Sequence, residues 1–320
     1  MKTNRRDFII GAMAMPIART SLAAERKTVR FGVVTDSHYA KKPVAAWTGS
    51  SRHYAHSTAK MRDAVELFNK SDLDFAIELG DLKDMGPLSV KSATGDKVNR
   101  SPNELRAEAL GFLDEIEGEF KRFNGPRYHV LGNHDMDCIS KEDFLAHAEN
   151  HGAAKGKANY SFSVRGVKFV VLDGCFNPDG TPYRCGNFDW RKAILTKDEL
   201  EWFDAELASA KGPAIVFCHQ LLDGFSRITP VICLSNWKDA VAVMERRGNV
   251  IASIQGHHHS GHYSFRKGTH YWTMKAMIEG PHPAHNSYAV IEVSPEGAIS
   301  INGFADCENR TFPFKAKTTG

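Results

Sequence analysis

Five short polar clusters carry side chains able to bind metal ions: Asp36-Ser37-His38, Gly80-Asp81, Gly132-Asn133-His134-Asp135, Phe217-Cys218-His219 and Gly256-His257-His258-His259. Carboxylate, imidazole and amide oxygen, with no thiolate among the candidates, suit borderline-hard divalent ions such as manganese, iron or zinc. A lone histidine at the end of a strand is more often hydrogen-bonded structure than a ligand. Five such clusters, each placed where a strand pattern stops, are hard to explain by packing. Glycine beside a ligand lets the backbone turn tightly and come close to an ion. In the histidine triplet an extended backbone would put His257 and His259 on one side and His258 on the other, which leaves His258 as the structural member. A metal-buffering His tract is the rival reading, but this run is short and framed by a strand.

The elements that must position these groups alternate between short β-branched runs and helical patterns, the signature of an α/β fold. Strand patterns cover residues 29–35, 74–79 and 127–131, and further ones cover 167–172, 214–217 and 250–254. Helical periodicity runs over 58–68, through Leu105, Ala109, Phe112, Leu113, Ile116 and Phe120, and over 196–207 and 236–244. Residues 262–304 read as mostly antiparallel strands with turns at Lys267-Gly268 and Pro295-Glu296-Gly297. Open α/β sheets gather functional groups at the carboxyl ends of their strands, so the clusters can share one cleft. With no internal repeat and no Pro- or Ser-rich linker, residues 25–320 are expected to form one domain built on two sheets.

Taken in order, these motifs resemble the pattern of the calcineurin-like metallophosphoesterase superfamily: Asp-x-His, Gly-Asp-x-x-Asp, Gly-Asn-His-Asp/Glu, a lone His and Gly-His-x-His. All five elements occur between Asp36 and His259. The resemblance implies an α/β fold of two mixed β-sheets packed as a sandwich flanked by helices. It also implies two divalent metal ions, manganese first, with iron or zinc as alternatives. Asp36, His38 and His259 would bind one ion, Asn133, His219 and His257 the other, and Asp81 would bridge them. Two cations about 3.5–4 Å apart lower the pKa of a bridging water, so that hydroxide can attack a phosphoester at neutral pH. His134 would then protonate the leaving oxygen, oriented by Asp84, the second aspartate of Gly-Asp-x-x-Asp, with Asp135 the alternative for that orienting role.

Beyond the metal motifs, Arg52-His53-Tyr54-Ala55-His56-Ser57, Cys233-Leu234-Ser235-Asn236-Trp237-Lys238-Asp239-Ala240 and the stretch from Gly268-Thr269-His270 to Ile278-Glu279-Gly280 are similar to the manganese-dependent ADP-ribose/CDP-alcohol diphosphatases. That group often carries Gln where this chain has His38. The likeness implies a small-molecule substrate of the nucleoside diphosphate class, such as ADP-ribose or a CDP-alcohol. The same metals would equally serve a phosphomonoesterase or a cyclic-nucleotide phosphodiesterase. A degenerate member acting only as a binding module is a third reading, against which the intact ligand set with His134 and Asp84 argues. Tyr39, Trp47, Tyr54 and Trp237 can stack on a base, and Arg52 or Lys238 can meet a distal phosphate. Aromatic residues in such folds are nevertheless more often core. Gly49-Ser50-Ser51 reads as a mobile loop beside the cleft, where specificity residues are often placed.

Composition narrows the partners. The 320-residue chain is 42% hydrophobic and 25% charged, with a net charge of +3. Residues 1–24 hold Lys2, Arg5, Arg6 and Arg19 against Asp7 alone, and without them basic and acidic groups are equal in number. Nothing in this balance points to an electrostatic grip on nucleic acid or on an anionic membrane. Arg5-Arg6 before Phe8, the short apolar run 9–17 and the small residues Ser21-Leu22-Ala23-Ala24 are similar to a bacterial twin-arginine signal peptide, which implies a periplasmic or secreted protein. An amphipathic first helix is the alternative. The six cysteines show no CxxC spacing. Cys175 with Cys185 is the most plausible local disulfide if the protein is exported, while buried free thiols are the simpler expectation.

Overall fold

A computed structural model describes residues 28–313, apart from 93 and 154. The expected signal peptide at residues 1–24 lies outside the described residues. Two six-stranded mixed sheets face each other. In the first, Val29–Val34, Phe75–Glu78 and Arg127–His129 run parallel, and Ser287–Val293, Ile299–Ala305 and Arg310–Phe312 extend it antiparallel. In the second, Val167–Val171, Ala214–Cys218, Val250–Gln255 and Thr269–Thr273 are parallel. Antiparallel strands Tyr160–Val164 and His262–Arg266 close its two edges.

The parallel strands read as continuous apolar runs because both of their faces are buried. Alternate residues divide between two cores. Val29, Phe31, Val33, Phe75 and Ile77 meet Phe169, Val171, Ile215, Phe217 and Ile254 between the sheets. Phe31 stacks on Phe75 at 4.8 Å between ring centroids and meets Phe169 and Phe217 edge-on across the interface. The intervening residues Val34, Ala76, Val170 and Val216 face outward to helices. Ser57–Lys70 and Pro102–Phe120 cover one outer face, and Lys197–Ser209 and Trp237–Arg247 cover the other. Their ends follow local chemistry. Ser101 and Glu104 form a capping box, the Thr196 hydroxyl accepts from the Glu199 amide, and Gly248 ends its helix in the left-handed conformation. No helix among the described residues is long and apolar enough to cross a membrane. All six cysteines are free thiols, with Cys175 buried and Cys185 exposed, so the local disulfide does not form.

A buried ionic triad supports the strand ends of the first sheet. His129 lies between two carboxylates, its Nδ1 3.5 Å from Glu78 and its Nε2 3.2 Å from Glu117. Glu78 also accepts the amide of Gly80, at the start of the Asp81 loop. Burial disfavours the imidazolium, but the charge and hydrogen bonds of Glu117 and Glu78 push His129 up to about 10. Burial is the main cause that pushes Glu78 up to about 8. Both groups therefore bind protons more tightly in the folded chain than in the unfolded one, where they titrate near 6.5 and 4.5. The triad's stabilisation is complete below about pH 4.5 and is lost as pH rises through 8 to 10, with a slope of at most about 1.4 kcal/mol per pH unit for each retained proton. Glu78→Gln is expected to flatten the fall of melting temperature between pH 7 and 10 relative to wild type. Parallel curves for the two proteins would remove the triad from the alkaline transition.

Candidate metal centre

The carboxyl ends of five parallel strands, three from one sheet and two from the other, deliver the candidate ligands to one place. Asp36 and His38 follow Val29–Val34, Asp81 follows Phe75–Glu78, and Asn133 follows Arg127–His129. His219 follows Ala214–Cys218, while His257 and His259 follow Val250–Gln255. Four of these residues hold left-handed backbone: Asp36 at φ 52°, His38 at 45°, Asp81 at 57° and His257 at 67°. Each such residue costs about 1–3 kcal/mol, and clustering of that strain is typical of functional sites. The loops need glycine for contact as well as conformation. A Cβ on Gly80, at φ 99°, would stand 2.6 Å from the His219 ring, and one on Gly132 would stand 2.2 Å from the Asp81 amide nitrogen.

Donor atoms converge in two groups joined by Asp81. In the first, His38 Nε2 lies 3.2 Å from His259 Nε2 and 3.7 Å from Asp36 Oδ1, and His259 Nε2 is 3.6 Å from the same Asp36 oxygen. In the second, His219 Nε2 is 3.1 Å from Asp81 Oδ2, with His257 alongside. That Asp81 oxygen is also 3.5 Å from His38 Nε2, which places it between the groups. Asn133 Oδ1, His219 Nε2 and His257 Nε2 are buried and have no hydrogen-bond partner among the described residues. Buried lone pairs facing one another are costly unless a cation lies among them, so the residues present fit two divalent ions.

Neighbouring groups orient the imidazoles. His219 Nδ1 donates to the Leu79 carbonyl at 2.8 Å and His259 Nδ1 to Glu279 at 2.7 Å, which leaves both Nε2 atoms as acceptors for a metal. Burial and the adjacent His219 lower His257 to about 3, so its imidazole is neutral and its lone pair available. Burial opposes charge on His219 too, yet the Asp81 and Asp36 carboxylates push it up to about 10, a measure of the negative field at the centre. Thr35 Oγ1 and the His257 amide both donate to Asp36.

His134 stands beside this cluster, with a quarter of its side chain exposed to the cleft. Its Nδ1 faces two carboxylates, Asp84 at 3.5 Å and Asp137 at 3.6 Å. Burial disfavours its charge, but Asp84, Asp81 and Asp137 hold it well above the ordinary histidine value. Asp84 also lies 3.3 Å from His38 Nδ1 and is paired with Lys42 at 2.9 Å. Asp137 is paired with the buried Lys83, whose ammonium also donates to the His134 carbonyl. Neither Asp137 nor either lysine was expected from the motifs: Asp137 is brought onto His134 by the single 3₁₀ turn between them, and the two lysines reach Asp84 and Asp137 from other loops. Asp135, the alternative orienting group, makes different contacts: it accepts the amides of Asp81, Leu82 and Gly132 and so ties two ligand loops together.

A cavity of about 530 Å³ opens over the centre. Its floor is His38, Asp81, Asn133, His134, His257 and His259, and its walls include Thr48, Gly49, Ser50, Arg52, Trp190, Ile232 and Glu279. His258 lies outside the donor clusters, as expected, but it lines the cavity with its two neighbours, because His257 is left-handed at φ 67° and the backbone there is not the extended one the alternation assumed. At Gly49-Ser50-Ser51, expected to be a loop, Gly49 lies in the turn of a hairpin that pairs Ala45–Trp47 with Ser50–Arg52, and both serines belong to its second strand.

Core packing, the commoner reading for these aromatics, holds for three of the four named, and the candidate position for base stacking falls to another residue. Tyr39 is core, with its hydroxyl on Glu115 and its ring against Phe112. Tyr54 is buried beneath the Lys42 ammonium, and Trp237 packs on Phe225. None of the three lines the cavity, and neither does Lys238, while the side chain of Trp47 lies outside the described residues. Trp190 lines it instead, 5.6 Å from the His257 ring between centroids. No periodic signal marks Trp190, since it sits in a single turn of 3₁₀-helix between longer elements. Arg52 was anticipated, and its Nη2 stands 3.4 Å from His259 Nε2.

The sequence profile described as Calcineurin-like phosphoesterase matches residues 29–261. Among curated relatives, a "Manganese-dependent ADP-ribose/CDP-alcohol diphosphatase" of Oryza sativa subsp. japonica is 25% identical over 316 residues, covering 87% of this chain and 92% of its own length. A protein of the same name from Arabidopsis thaliana is 25% identical over 307 residues, covering 85% and 93%. Among solved structures, a dimetal phosphatase from Danio rerio superposes with a TM-score of 0.73 at 20% identity, over 90% of this chain and 99% of that one.

Proposed function

The chain belongs to the calcineurin-like phosphoesterase family and is a metal-dependent phosphoester hydrolase, and on that premise we propose that it cleaves the pyrophosphate link of nucleoside diphosphate derivatives such as ADP-ribose or CDP-alcohols. The observation that carries the catalytic part is the convergence of buried donor atoms around Asp81, of which Asn133 Oδ1 and His257 Nε2 have no hydrogen-bond partner among the described residues. Asp36, His38 and His259 would hold one ion and Asn133, His219 and His257 the other, with manganese favoured by the relatives' requirement. When bound, such a pair supplies an acidified water and positive charge opposite the phosphate oxygens.

The chain's own residues do the rest. Asp81 holds the two ligand groups at a fixed spacing through one oxygen. With Nδ1 of His134 directed at Asp84 and Asp137, Nε2 is the nitrogen free to protonate a leaving oxygen, and the same carboxylates keep the proton on the ring at neutral pH. Arg52 at the wall suits the second phosphate of a diphosphate. Trp190 and Ile232 give an apolar wall on which a base or ribose can rest. This combination supports a diphosphate over a simple monoester, which would use neither feature.

A hydrolysis screen of the manganese-loaded protein tests this reading, with ADP-ribose, CDP-choline, cyclic AMP and p-nitrophenyl phosphate as substrates. The expected result is a kcat/KM for ADP-ribose or CDP-choline at least about tenfold above the other two, the equivalent of one charge-assisted hydrogen bond. Preference for cyclic AMP or for the aryl phosphate would replace the diphosphatase reading with a phosphodiesterase or phosphomonoesterase one.

A further inference from the structure

Glu279 touches two parts of the site at once. Its Oε1 accepts the His259 Nδ1 proton at 2.7 Å, and its Oε2 accepts from the Ser50 hydroxyl at 2.6 Å and the Ser51 amide at 3.1 Å. One end therefore fixes an imidazole of the candidate metal centre, while the other fixes the hairpin strand that carries Arg52 into the cavity. The backbone around Glu279 is itself held. The ammonium of Lys60, fully buried, donates to the carbonyls of Met277, Glu279 and Gly280 at 2.7, 2.8 and 2.8 Å. Gly280 in turn donates to the Ser51 carbonyl, and His53 to that of Ile278. With all three of its protons used on one short segment, Lys60 leaves Glu279 little room to follow one partner away from the other.

We propose that Glu279, braced by Lys60, is a positioning residue that couples metal binding at His259 to the order of the Ser50–Arg52 wall, so that the substrate cavity is completed when the metal centre is filled. The proposal rests on His259 being a metal ligand. A cation drawing on His259 Nε2 makes the Nδ1 proton a stronger donor and tightens its bond to Glu279. The same carboxylate then holds Ser50 and Ser51 more firmly. Linkage makes the effect reciprocal: the hairpin gains from the cation whatever the cation gains from an ordered hairpin.

Hydrogen–deuterium exchange and calorimetric titration with Mn²⁺, both on the full chain, test the coupling. In the wild type, Mn²⁺ is expected to slow exchange of the Ser51 amide and its neighbours to residue 53 by about tenfold. Glu279→Gln keeps the shape but cannot accept from His259 and Ser51 with both ends. Its affinity for one of two ions should fall about 10–100-fold, the other staying unchanged, and Mn²⁺ should no longer protect residues 50–53. Lys60→Met should reduce that protection in the same direction. Wild-type protection in Glu279→Gln, or unchanged affinity for both ions, would overturn the coupling. Unchanged Mn²⁺ binding by His259→Ala would overturn instead the ligand assignment beneath it.

Discussion

Asp81→Asn is expected to lower turnover on any phosphoester by about 10³-fold or more, with at least one ion lost from the protein. The reason is the position of one oxygen. Asp81 Oδ2 lies 3.1 Å from His219 Nε2 and 3.5 Å from His38 Nε2, a ligand from each donor group, while Oδ1 accepts the His134 amide at 2.7 Å. Asparagine can keep the second contact and the side-chain volume, so the fold should survive. It replaces the shared anionic oxygen by an N–H group, which offers a cation no electron pair. The charge stabilisation from such ions is worth several kcal/mol, and about 4 kcal/mol corresponds to 10³ in rate. Metal content should be measured with rate on the same preparation, and circular dichroism should show an unchanged fold. Full activity with two bound ions in this variant would rule out a bridging role.

His134→Ala should retain both ions but lower turnover by about 10²–10⁴ for a poor alcohol leaving group. With p-nitrophenyl phosphate the loss should be much smaller, because that leaving oxygen carries negative charge without a proton. The two flanking carboxylates refine the expectation. Since His134 Nδ1 faces both Asp84 and Asp137, either single change to Asn should show the same leaving-group dependence in weaker form. Changing both should approach the effect of removing the imidazole. Equal losses for good and poor leaving groups, or loss of an ion from His134→Ala, would place His134 in the metal site and not in proton transfer.

Local pattern made much of this protein readable. Apolar runs at 29–35, 74–79, 127–131, 167–172, 214–217 and 250–254 are strands in the structure to within a few residues, because strands buried on both faces tolerate little else. The capped helices were equally clear. The tail was read as mostly antiparallel strands, and it forms two antiparallel pairs, yet these pairs belong to different sheets. The segment between them, residues 274–286, carries Glu279 back to the centre, and a pairing of that range has no sequence signature.

The convergence of the candidate ligands was legible for a physical reason. A metal donor must be one of few residue types, it must follow a strand in this kind of sheet, and glycine must accompany it where loops nearly touch. Those demands fall on neighbouring residues and therefore leave a motif. What only the tertiary structure decided is everything that depends on distant loops meeting: Asp137 beside Asp84 on His134, Lys83 and Lys42 as their counter-charges, and Trp190 in place of Tyr39, Tyr54 and Trp237 at the cavity. Buried charge and aromatic rings are placed by whichever surface lies opposite, and only the folded chain brings that surface to them.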